Sequence, residues 1–70
     1  MAEVRAEMVA NVWKVVVTEG DQVEEGDTLV ILESMKMEIP VLAEDAGALV
    51  RLQVAEGDVI QEGDLIAIIE

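Results

Sequence analysis

The sequence predicts an all-β chain: a flattened β-barrel or sandwich of two four-stranded halves related by a pseudo-twofold axis. Three observations predict it. Shifted by 37 residues, the chain matches itself, residues 3–33 falling on 40–70. Val4, Ala6, Glu7, Val17, Glu19-Gly20-Asp21, Glu25-Gly26-Asp27, Ile31 and Glu33 all recur unchanged in the second half. Apolar residues alternate with polar ones, the period of a strand with one face buried. Glycines punctuate the chain too often for any long helix.

Glu3 to Met8 alternates, placing Val4, Ala6 and Met8 on one face and Glu3, Arg5 and Glu7 on the other. The next strand is clearest in the second half, where Val50, Leu52 and Val54 alternate with Arg51 and Gln53. Their counterparts Trp13, Val15 and Val17 are therefore expected to face the core. Glu-Gly-Asp then marks a turn, since glycine supplies φ > 0 at little cost. A second Gly-Asp closes another turn six residues on. The last strand of each half, Leu29 to Leu32 and Leu65 to Ile69, is almost wholly apolar, which predicts cover on both faces. Pro40 fits near the start of an edge strand, where a missing N–H is tolerated.

Seventy residues make one small domain, residues 1–70, with a marginal core. There is no Cys and no His, so disulfides and common metal staples are unavailable. Stability must come from closed β pairing and aliphatic packing. The net charge of −12 disfavours nucleic acid and anionic membrane, and favours partners with basic patches. No stretch is long and apolar enough to span a bilayer. The N-terminus lacks a basic-then-apolar signal pattern, so cytoplasm is the expected compartment. With no His, Cys or Tyr and a single Ser (Ser34), no nucleophile–base pair can be assembled, so no catalytic residue is assigned. The acidic residues, Glu24-Glu25 and Glu44-Asp45 among them, are read as solvated turn charges, and no metal site is assigned.

One lysine stands apart. Lys36 lies in Glu33-Ser34-Met35-Lys36-Met37-Glu38, between the two halves, and the only other lysine is Lys14. The repeat places the linker, Ser34 to about Met37, opposite chain termini that meet at the other end. A lysine in a turn is ordinarily a solvated charge. An apolar Met35 is wasted there unless something packs on it or reads it, and methionine adapts well at contact surfaces. Lys36 is thus expected to project as an attachment point, while Lys14, mid-strand, is held against a sheet.

Glu33-Ser34-Met35-Lys36-Met37 resembles the attachment motif of the biotin carboxyl carrier, or biotinyl domain, family, and the duplicated halves and Gly-Asp turns extend the likeness over nearly the whole chain. The chain looks most like the free-standing biotin/lipoyl attachment proteins. The resemblance implies a barrel-sandwich hybrid fold and Lys36 joined to biotin through an amide. It implies positioning roles for Met35 and Met37, and a recognition or hairpin-stabilising contact for Glu33. It implies biotin–protein ligase, biotin carboxylase and carboxyltransferase as partners of a carrier that is not itself an enzyme. Glu7 and Ala10 stand where the family often has Pro and Gly, although Gly47 keeps the glycine in the second half. Gly20 to Gly26 is as short as Gly57 to Gly63, so no inserted thumb loop is expected. The alternatives are a lipoyl carrier, whose lysine usually follows Asp, a dual biotin and lipoate carrier, and an unmodified interaction module.

Overall fold

The computed structural model describes residues 1–70. It contains eight strands and no helix: β1 (Ala2–Arg5), β2 (Ala10–Val15), β3 (Gln22–Val23), β4 (Thr28–Ser34), β5 (Met37–Leu42), β6 (Gly47–Leu52), β7 (Val59–Ile60) and β8 (Leu65–Ile69). β6 and β7 begin 37 residues after β2 and β3, and so does β8 after β4. All pairing is antiparallel, within two four-stranded sheets ordered β1-β8-β6-β3 and β5-β4-β2-β7. Each sheet therefore mixes strands of both halves, and neither half forms a sheet alone.

Turn glycines stitch the halves together. The Gly20 N–H donates to the Leu49 carbonyl and the Gly57 N–H to the Val12 carbonyl, both at 2.8 Å. Gly26 to Ala43 and Gly63 to Ala6 repeat the arrangement. The glycine of each Gly-Asp turn has φ between +91° and +98°, as position i+2 of a type II turn requires. The following Asp closes the turn: Asp21, Asp27, Asp58 and Asp64 each accept from the N–H three residues earlier at 2.8–2.9 Å. These exposed carboxylates therefore also serve as acceptors within their turns.

All fourteen buried residues are aliphatic, so the core holds no polar group needing a partner. Leu29, Val30 and Leu32 from β4, and Ile66, Ala67 and Ile69 from β8, are at most 2% exposed, as their apolar runs predict.

Trp13 is a second correction. Between Val12 and Lys14 the register with β4 slips: Val12 faces Leu32 and Lys14 faces Ile31, leaving Trp13 unpaired. An extra residue inverts the alternation. Val12 takes the inward place at 1% exposure, and Trp13 turns outward at 43%. The second half repeats the bulge between Leu49 and Arg51, turning Val50 out and Leu49 in. Val15, Val17 and Leu52, beyond the bulges, pack against the core as expected.

Each bulge leaves a backbone N–H to be satisfied. The Glu56 carboxylate accepts from Val15 N–H at 3.1 Å, and the Glu19 carboxylate from Leu52 N–H at 2.9 Å. Each glutamate comes from the opposite half.

The first strand is shorter than its alternation suggests. β1 ends at Arg5, Ala6 is buried, and Met8 is exposed rather than inward. Pro40 lies well inside β5, which is an edge strand, so its missing N–H breaks no ladder.

Candidate functional site

The site is the β4–β5 hairpin. Its anchor is the cross-strand pair Leu32 and Ile39, with Leu32 in the core. Beyond it Glu33 faces Glu38 and Ser34 faces Met37, leaving a two-residue turn of Met35 and Lys36. Both turn residues have positive φ, +52° and +64°. These are the left-handed dihedrals of a type I′ turn, the geometry that matches the twist of a two-residue hairpin. Asn-Gly is the usual solution there; a Met-Lys pair adopts it under strain.

That geometry sets what is offered to solvent. Met35 is 91% exposed and Met37 is 61% exposed. Lys36 is exposed and makes no ion pair; the chain's one salt bridge joins Arg5 to Glu3. Neither concavity of the surface includes any of residues 33–38. One of them, a groove of about 400 Å³, lies between β1 and β5. The site is a projection rather than a pocket. It presents a primary amine on a four-carbon arm, an arrangement that can be acylated.

The termini occupy the equivalent place in the other sheet. Ala2 faces Ile69, the pairing that Ile39 and Leu32 make in the lysine hairpin, 37 residues out of phase.

Burial does not separate the two lysines. Lys14 is also exposed, contrary to the expectation that the sheet covers it, and its Nζ lies 5.8 Å from the centre of the Trp13 ring. Backbone context separates them: Lys14 is laddered to β4 in mid-strand, while Lys36 tips a two-residue turn. The Glu33 side chain makes no hydrogen bond, and the residue sits opposite Glu38. Directly opposed like charges destabilise a strand pair. Ala10, in the place of Gly47, opens β2 and needs no special backbone angle. Gly47 is required: a Cβ there would collide with the Glu70 carbonyl.

Two features escape sequence reasoning, the left-handed turn and the carboxylates of Glu19 and Glu56. The only signal for the latter is their recurrence at the 37-residue shift.

Residues 2–69 match the family described as biotin-requiring enzyme, the biotin/lipoyl attachment family. The biotinylated protein TB7.3 homolog of Mycolicibacterium smegmatis is 80% identical over 44 residues, covering 61% of this chain and 62% of that protein. The biotin/lipoyl attachment protein of Bacillus subtilis is 54% identical over 44 residues, covering 63% of this chain and 60% of that protein. Both alignments span under two thirds of the relative's length. Among solved structures, the urea carboxylase of Kluyveromyces lactis contains a segment that superposes with a TM-score of 0.91 at 36% identity. It covers 99% of this chain and 6% of that one.

Proposed function

The chain belongs to the biotin/lipoyl attachment family, and on that premise we propose that it is a biotin carrier whose attachment point is Lys36. The observation that carries this reading is a free, exposed lysine at the apex of a strained two-residue turn. A biotin–protein ligase condenses the carboxyl group of biotin with Lys36 Nζ, driven by ATP, and the amine's charge is lost. Net charge goes from −12 to −13.

The attached group supplies a ring that accepts and releases a carboxyl group. The chain's own residues tether and present it. The rigid hairpin holds Lys36 clear of the body, Met35 and Met37 offer adaptable apolar contact on either side, and Glu33 offers a charge for recognition. Residues 1–70 act as one domain in the cytoplasm, carrying carboxyl groups between biotin carboxylase and carboxyltransferase sites. Tethering raises the effective concentration of the carried group at both. The chain contributes no catalytic residue. Lipoate is the second reading, favoured by the name and 54% identity of the Bacillus subtilis relative.

Incubation with biotin–protein ligase, biotin and ATP should add one biotinyl mass, and Lys36→Arg should abolish the addition. Labelling that persists in Lys36→Arg overturns the assignment. The same incubation with a lipoate ligase and lipoate decides the second reading.

A further inference from the structure

The core of this protein holds no methionine: its fourteen buried residues are Ala, Val, Leu and Ile alone. With no cysteine in the chain, the four thioethers are its only sulfur groups, and all lie outside the core. They are not spread evenly. Two of the four flank Lys36, Met35 within the turn and Met37 at the start of β5. Met35 is 91% exposed and Met37 61%, against 37% for Met8, which lines the groove between β1 and β5. Met1, 86% exposed, stands apart from the hairpin at the N-terminus. At its exposure Met35 has almost no protein neighbour to shelter its sulfur.

An open thioether is a two-electron reductant for a small peroxide. The sulfur lone pair attacks one oxygen of hydrogen peroxide, the O–O bond breaks and an S–O bond forms. The departing hydroxide takes the proton of the transferred oxygen and leaves as water. Sulfur is oxidised by two electrons and the peroxide is reduced by two. A dithiol acting through methionine sulfoxide reductase reverses the change: the sulfoxide oxygen leaves as water and the dithiol becomes a disulfide.

We propose that Met35 and Met37 form a reversible oxidation site that governs acylation of Lys36; this rests on the carrier reading above, in which both side chains offer apolar contact. Methionine oxidation ordinarily damages a protein by putting a polar group into its core. Here the core has no sulfur to oxidise, so the fold survives and the change falls on the acceptor hairpin. A sulfoxide is a strong hydrogen-bond acceptor that must shed water before an apolar contact closes on it. The oxidised hairpin therefore takes biotin slowly, and reduction restores it.

Brief treatment of the unlabelled chain with dilute hydrogen peroxide, mapped by peptide mass spectrometry, should oxidise Met35 and Met1 first, Met37 next and Met8 last, the order of their exposure. Tm should stay within about 2 °C of the untreated chain. The partly oxidised mixture is then given biotin–protein ligase, biotin and ATP until part of it is labelled, and the two pools are separated. Sulfoxide at Met35 and Met37 should be about fivefold scarcer in the labelled pool, and sulfoxide at Met1 should be equal in both. Methionine sulfoxide reductase with a dithiol should return the labelling rate to that of the untreated chain. Met35→Leu with Met37→Leu keeps the apolar volume without sulfur, and peroxide should not change its labelling rate. Equal sulfoxide at Met35 and Met37 in the two pools, labelling that stays slow after reduction, or unfolding on oxidation overturns the proposal. An untreated chain that takes no biotin fails the carrier reading instead, so the two failures are told apart.

Discussion

Replacing Met35-Lys36 by Asn-Gly should stabilise this protein while abolishing its attachment point. Both native residues sit in the left-handed region, at φ +52° and +64°. For a residue with a Cβ that region costs roughly 1–2 kcal/mol. Asn and Gly enter it readily, which is why they dominate two-residue hairpin turns. Glycine returns part of the gain, about 0.5–1 kcal/mol, through the entropy of the unfolded chain. Packing contributes almost nothing to the balance, because Met35 is 91% exposed and Lys36 is exposed too. The net expectation is a gain of about 1–3 kcal/mol. In a domain this size each kcal/mol moves the midpoint by about 4–8 °C, so Tm should rise by roughly 4 °C or more. Thermal unfolding followed by far-ultraviolet circular dichroism measures it. An unchanged or lowered Tm would refute the claim that the turn is strained. A rise would mean that stability is forgone in order to keep Met and Lys at the apex, a trade expected where backbone strain serves function.

Two further perturbations probe the scaffold. Glu19→Ala should leave the Leu52 amide without its acceptor, cost about 1 kcal/mol, and speed hydrogen exchange at that amide more than at its neighbours; uniform acceleration would contradict a local role. Gly47→Ala should cost more than Gly20→Ala in urea unfolding: a Cβ at 47 strikes the Glu70 carbonyl, whereas one at 20 meets open space and only the left-handed penalty, so equal losses would show that backbone angle alone governs both.

The lysine hairpin was legible because its signal is local: one lysine between methionines, at the joint of a repeat. The turns were legible because Gly before Asp is chemistry contained within four residues. Trp13 was misplaced because strict alternation is only as good as its register, and one unpaired residue inverts it. The contacts of the turn aspartates and of Glu19 and Glu56 were not legible because their partners are backbone amides, which carry no signature in a sequence. For Glu56 the partner amide lies 41 residues away.

The sequence by itself determined the repeat, the strand-and-turn rhythm, the aliphatic core and the lysine at the junction of the halves. Those properties follow from composition and from spacing within one strand or turn. Only the tertiary structure decided which strands share a sheet, where the bulges turn Trp13 and Val50 outward, and that Met35 and Lys36 form a left-handed two-residue turn. These depend on pairing between segments remote in the chain, where a shift of one residue exchanges inside for outside.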